Sequence, residues 1–361
     1  MPFSGPVVTA PTLSITTLSP TSPPSKAPLS VAVVVATFNR RTALGQLLDD
    51  LRGQDTSVPF EVVVVDDGGH VDLSDVVAAS DAVGHRPVRL LRRPNGGPGA
   101  ARGTGISATT ADVIIIVDDD MRVGPTFVGA HLDAHLGGAQ VVYGSIAGTP
   151  VLDEGPLFAR FHQRAIDHWL ASYRLGAVPA GARLCTGNVS MRRSGYESVG
   201  GFDRELVRCE DRDLGIRLEN AGLRFALADD ARSTHHTDHG DVRTWRRRSA
   251  IYGASDQRIG EKHPQRRDVS PWAFLAELAP PVRPLLIAAS VSPRAGKLLG
   301  GTSYSLARLV DRLGWHRRAV DLAGLCYALD YYGGVGTRSG SGRNAIASYR
   351  SWRSPSTPVM P

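Results

Sequence analysis

Six short stretches of this 361-residue chain carry side chains that could act on a ligand together. They are Thr37-Phe38-Asn39-Arg40, Asp66-Asp67 ahead of two glycines, Asn95-Gly-Gly-Pro-Gly-Ala-Ala-Arg102, Asp118-Asp119-Asp120, Glu210-Asp211-Arg212-Asp213, and the histidines His235, His236 and His239. Three consecutive carboxylates repel one another unless a cation sits among them. Mg2+ and Mn2+ are hard ions that take oxygen ligands and are commonly shared between carboxylates and substrate phosphates. Asp also ends strands as an ordinary turn former, which accounts for Asp66-Asp67 before Gly68-Gly69. A turn has no need of three acids, so the triplet points to a bound cation. The glycine loop lets backbone approach a ligand closely, and a helix starting after it offers free N–H groups to an anion. A carboxylate at a helix start is favoured by the helix dipole, so Asp211 could be no more than a cap. Capping does not explain Glu210, Asp211 and Asp213 together, and such a cluster can take a proton from an attacking hydroxyl. The histidines offer an imidazole that suits Mn2+ better than Mg2+, or they are solvated loop residues. Arg243 and Arg246-Arg247-Arg248 read as a solvated helix face or as a phosphate clamp.

These residues need a frame, and the hydrophobic pattern supplies one. Val31 to Thr37 is a continuous β-branched run, the mark of a strand buried on both faces. Arg41 to Gln54 follows with Leu44, Leu47, Leu48 and Leu51 at helical spacing. Phe60 to Val65, Val88 to Leu91 and Val113 to Val117 read as further strands, with a short helix over Gly99 to Thr109. Strand, helix, strand, helix implies a parallel sheet with right-handed crossovers and helices on both faces. In such a sheet ligands bind outside the carboxyl ends of the strands, where these acids fall. Further on, a strand is expected over Val141 to Ile146, a helix over Pro156 to Tyr173, and a strand over Val189 to Arg192. Asp211 to Asn220 reads as a helix, Leu223 to Ala228 and Arg232 to His235 as two short strands, and the chain after Asp241 as mostly helical. The division expected is a disordered leader at 1–30, a catalytic α/β domain at 31–240, a helical region at 241–332 and a flexible tail at 333–361.

Composition narrows the setting. Hydrophobic content of 42% and charged content of 21% describe a globular protein, and the net charge is +6. Lysine occurs only at Lys26, Lys262 and Lys297, so the positive charge is nearly all arginine, whose planar fork suits phosphate. Coding bias explains the same excess equally well, and nothing in the pattern calls for nucleic acid. Cys185, Cys209 and Cys326 show no metal or disulfide spacing, which fits a reducing compartment. No signal peptide and no membrane-spanning run are visible. The expectation is a cytoplasmic protein, with contact at the inner face of a membrane left open.

The stretches VAVVVATFNR, FEVVVVDDGG, RRPNGGPGAARGTGI, VIIIVDDDMRVGP, TGNVSMRRSGYESVGGFDREL and RCEDRDLGIRLENAG, spread over about Ser30 to Ala250, resemble the family 2 glycosyltransferases. The resemblance implies the GT-A (nucleotide-diphospho-sugar transferase) fold, α/β with a mostly parallel central sheet, helices on both faces, and a helical C-terminal region. It implies inverting transfer of a sugar from a nucleotide-diphosphate donor to a hydroxyl of a small-molecule, glycan or lipid-linked acceptor. Thr37, Asn39, Arg40, Asp66, Asp67, Asn95, Gly96, Arg102, Asp118 and Asp119 would line the donor. Asp118-Asp119-Asp120 would be the DxD-type motif, with Asp120, Asp118 and His235 on Mn2+ or Mg2+. Asp211 would be the base and Glu210 its neighbour, with Gly187 and Asn188 on the acceptor and Arg247 and Arg248 clamping the diphosphate. A sugar-1-phosphate nucleotidylyltransferase usually shows a glycine-rich stretch with lysine near the N-terminus, and this chain has no lysine between Lys26 and Lys262. A non-catalytic nucleotide-sugar or glycan-binding relative would have lost Asp211 or the triplet. The sugar, the acceptor, the choice among His235, His236 and His239, and the oligomeric state stay open.

Overall fold

The computed structural model describes residues 29–81, 86–148, 155–206, 208–235 and 241–354. The β-branched runs form the centre of an eight-stranded sheet, because a strand with apolar side chains on both faces can be satisfied only between two layers. β1 (Val31–Thr37), β2 (Phe60–Asp66), β3 (Val88–Arg92) and β4 (Val113–Asp118) are mutually parallel. α1 (Arg41–Arg52) and α3 (Pro98–Ser107) are the crossover helices the sequence announced. α2 (Ser74–Asp81) also crosses over, but its eight residues carry too little periodicity to be read beforehand. β5 (Met121–Val123) has three residues, and α4 (Phe127–Leu136) is nearly apolar all round, so neither gave a signal.

The second half closes the sheet with mixed direction. β6 (Val141–Gly148), α5 (Leu157–Arg174), β7 (Asn188–Arg192), α6 (Arg193–Ser198), α7 (Glu210–Asn220) and β8 (Phe225–His235) complete the order β3-β2-β1-β4-β7-β6-β8-β5. β7 runs antiparallel between β4 and β6, and β5 antiparallel to β8. The two short strands expected over Leu223 to His235 are one strand. The pairing skips from Ala228 to Arg232 opposite Gly144 and Ser145, so the intervening acids Asp229 and Asp230 sit in a bulge. One face of the sheet buries Val33, Val35, Val64, Ile115 and Val117 under Leu44, Leu47, Leu48 and Phe127. The other packs Val34, Ile114, Ile116 and Val189 against Ile106, Leu214 and Leu218.

The C-terminal region is a layer of helices around α12. It comprises α8 (Val242–Lys262), α9 (Pro271–Glu277), α10 (Arg283–Val291), α11 (Pro293–Arg312), α12 (His316–Arg338) and α13 (Gly342–Arg353). Trp245, Trp272 and Tyr332 are fully buried there, and α5 joins the layer through Leu157 and Phe158. The expected loose tail from Gly333 is wrong as far as residue 354. Gly334 and Gly336 lie inside α12 where a Cβ would meet the carbonyl oxygens of Ala250 and Ser290 at 1.9 Å. Those glycines exist so that helix backbones can touch. The leader also ends earlier than expected: Ser30 donates from its hydroxyl to Asp112 at 2.7 Å, while 1–28 lie outside the described residues, as do 355–361.

Candidate active site

The chain leaves β1 for β2 and β3 on one side and returns to β4 on the other, so the crevice between the ends of β1 and β4 is the switch point of the sheet. Register places Ala36 opposite Asp118 and Thr37 opposite Asp66. The acid triplet and the Thr37–Arg40 rim therefore share one mouth.

Within it, Thr37 donates its hydroxyl to Asp119 Oδ2 at 2.6 Å. Arg40 Nη1 bridges Asp119 Oδ1 at 2.9 Å and Asp120 Oδ2 at 2.7 Å. Burial pushes the Asp119 carboxyl up to about 6, against the pull of Thr37 and Arg40. Burial acts on Asp120 too, but His235 and Arg40 outweigh it and hold this acid below its ordinary range. His235 Nε2 stands 3.5 Å from Asp120 Oδ2. His236 and His239 lie outside the described residues.

The second half of the mouth is built around Arg102. Its guanidinium donates to Glu210 Oε1 at 2.8 Å and to Asp118 Oδ1 at 2.6 Å. Arg102 was expected to line the nucleotide-sugar donor. Instead it is a buried counter-charge whose two terminal nitrogens are both taken by carboxylates of the chain, and those acids keep it protonated despite burial. Glu210 reaches this position because residue 99 is glycine: a Cβ there would meet Glu210 Cγ at 2.7 Å. Burial, with the neighbouring Asp211 charge, raises Glu210 to about 7 while Arg102 pulls the other way. Asp211 is raised as well, by burial first, and the backbone N–H groups of Arg212 and Thr186 oppose that rise. Gly187 packs beside Met121 and Asp118.

The glycine loop answers to an anion, but to one inside the chain. The N–H groups of Gly96 and Gly97 donate to Asp67, the latter at 2.8 Å, and Arg93 pairs with the same carboxylate. Asn95 and Gly96 remain exposed at the rim. Asp66 accepts from the Gly69 N–H at 2.8 Å and so shapes its turn. Asn39 takes a left-handed φ of 58° and accepts from the His70 N–H at 2.8 Å, tying the first rim loop to the second. Asn188, expected on the acceptor, is displaced from that role by burial: it is 2% exposed. Its amide bonds His131 Nε2, the Ala231 carbonyl and Ser233 Oγ at 2.9 Å each. His131 and His135 sit in the same polar core, pushed by burial down to about 3 and about 4. Arg247 is exposed on α8 and Arg248 half-buried.

Four neighbours escaped the sequence. Arg93 and Thr186 act on Asp67 and Asp211, Arg208 lowers Glu210 through its charge, and the Phe38 ring is 49% exposed beside Thr37. Of these only Phe38 carried a signal, an aromatic inside a polar strand end. Among the described residues no three His, Cys, Asp or Glu side chains enclose a metal. Asp120 Oδ1 is nonetheless a buried oxygen without a hydrogen-bond partner, on the carboxylate whose other oxygen faces His235. A carboxylate oxygen and an imidazole, with phosphate oxygens to complete the shell, fit Mn2+ or Mg2+.

Two family models match the chain, glycosyl transferase family 2 over residues 32–189 and glycosyl transferase family group 2 over residues 113–320. The pre-mycofactocin glycosyltransferase of Mycobacterium tuberculosis is 30% identical over 270 residues, covering 70% of this chain and 52% of its own. The validoxylamine A glucosyltransferase of Streptomyces hygroscopicus is 27% identical over 226 residues, covering 55% and 53%. The chain thus spans about half the length of the curated relatives it matches. A mannosyltransferase of Pyrobaculum calidifontis, solved with GDP-Man and Mn2+, shares the fold at a TM-score of 0.57 and 18% identity, over 91% of this chain and 89% of that one.

Proposed function

We infer that this chain, which belongs to the family 2 glycosyltransferases and has their GT-A fold, moves a sugar from a nucleotide-diphosphate donor to an acceptor hydroxyl with inversion. The observation that carries the inference is the convergence of Asp118, Asp120, His235, Glu210 and Asp211 at the sheet's switch point. The rim of Thr37, Phe38, Asn95 and Gly96 takes the nucleoside, with Phe38 stacking on the base. Asp120 and His235, with Asp118 at the same mouth, would hold a divalent ion. When bound, that ion neutralises charge on the departing diphosphate. Asp211 takes the proton of the acceptor hydroxyl as its oxygen bonds the anomeric carbon and the bond from that carbon to the diphosphate breaks. Burial raises its proton affinity above that of an ordinary carboxylate, which favours proton uptake from a hydroxyl. Glu210, held by Arg102, orients the acceptor, and Arg247 and Arg248 steady the leaving diphosphate.

Replacing Asp211 with Asn keeps the shape and removes the proton acceptor. Transfer should fall by about 100-fold or more while donor binding survives, read by product formation and by calorimetric titration. Asp120→Ala should instead abolish the divalent-ion dependence of donor binding. Loss of donor binding in Asp211→Asn, or an unchanged metal titration in Asp120→Ala, would overturn the assignment of that residue.

A further inference from the structure

α11 is amphipathic the wrong way round for a helix on a protein surface. Its buried side is small, with Gly296, Gly300, Ser303 and Ala307 against α12, where Gly300 lies beside the Cys326 carbonyl. Its leucines point outward: Leu298 is 74% exposed, Leu309 54% and Leu306 47%. Leu313 at 63% and Trp315 at 56% extend the stripe past the helix end, and Arg318 lies over the Trp315 ring at 5.1 Å. At about 100° per residue, Arg294, Lys297, Arg308 and Arg312 all fall along one edge of the stripe. The acid of this segment, Asp311, is already paired with Arg160 and His316. At the helix start a cleft of about 440 Å³ is lined by Arg246, which is paired with Asp330, and by Arg294, Lys297, Leu298 and Gly301, so that Arg294 and Lys297 join the apolar edge. No helix among the described residues is long and apolar enough to cross a membrane.

We propose that α11 and Trp315 lie on an anionic membrane surface, the leucines entering the acyl boundary and the flanking cations meeting lipid phosphates. Apolar area and cationic charge are the two contributions that such interfacial helices combine. A face evolved for water would place its arginines where these leucines stand. The charged edge is what selects a lipid surface over a second apolar protein face, since two copies meeting through this stripe would bring their cations together.

The test is co-sedimentation of the full chain with vesicles of phosphatidylcholine, with and without phosphatidylglycerol. The chain should pellet with the anionic vesicles, release as salt rises, and show a blue shift of Trp fluorescence that is lost in Trp315→Ser. Combining Leu298→Ser, Leu306→Ser and Leu309→Ser should weaken binding by about ten-fold or more at an unchanged melting temperature. Arg294→Gln with Lys297→Gln should remove the preference for the anionic lipid. The proposal fails if the unaltered chain stays in the supernatant, or if the leucine variant binds as well as it does. It fails equally if lipid-free sedimentation shows a dimer that the leucine variant dissolves, because a second copy then covers the face.

Discussion

At the scale of single residues the mouth is a set of carboxylates balanced by two arginines of the chain itself. Arg40 serves the triplet and Arg102 joins it to Glu210. Glu210, raised from 4.5 to about 7, and Asp119, raised to about 6, hold their protons more tightly folded than unfolded. Stability from such groups is fully present below their unfolded values and is lost as pH rises through their folded values. Without ligand, the melting temperature of Glu210→Gln relative to the unaltered chain should therefore climb between about pH 4.5 and about 7. Differential scanning calorimetry at both ends of that window checks it, and a flat difference would show that folding leaves the proton affinity of Glu210 unchanged. The acids themselves were legible because three carboxylates have no packing reason to end a strand. The part played by Arg102 was not, since its Glu210 partner is 108 residues away and only the fold brings the two together.

The element that matters most is α7, whose first turn presents Glu210 and Asp211. The helical layer holds it from behind. Arg212 reaches Asp256 of α8 at 2.5 Å, and Tyr331 of α12 donates to the same carboxylate at 2.6 Å. In the same first turn, Asp213 accepts from His263 at 2.9 Å and meets Lys262 at 2.8 Å. Removing one partner of a buried pair strands the other charge, so Asp256→Ala should cost about 3–5 kcal/mol of unfolding free energy. Urea denaturation measures it, and a loss under about 1 kcal/mol would mean that the pair is solvated. The strands β1, β2 and β4 were readable because buried β-branched runs have few alternatives. The misreading of Asn188 has a physical cause as well. A polar residue in a glycine-rich stretch looks like a ligand contact until the fold closes carbonyls around it from two other strands.

At the scale of the whole molecule, the described sheet and helical layer are joined through α5 and the α7–α8 ion pairs. Deleting residues 1–28 should leave the melting temperature within about 2 °C, whereas stopping the chain at Gly333 should prevent folding. The latter removes the last turn of α12 and all of α13, which covers Trp272 with Tyr349 at a ring separation of 5.2 Å. Circular dichroism on heating reads both, and a stable product from the second truncation would return the tail to its sequence-based description. The glycines that misled composition here carry a cost of inheritance. Where a Cβ would fall 1.9 Å from a neighbouring backbone oxygen, no other amino acid fits without parting two helices. In a saturation survey of viable variants, Gly334 and Gly336 should be as intolerant as Asp120, although neither contacts the acids of the sheet's mouth. Descendants of this chain can change most of their surface before they change those two positions.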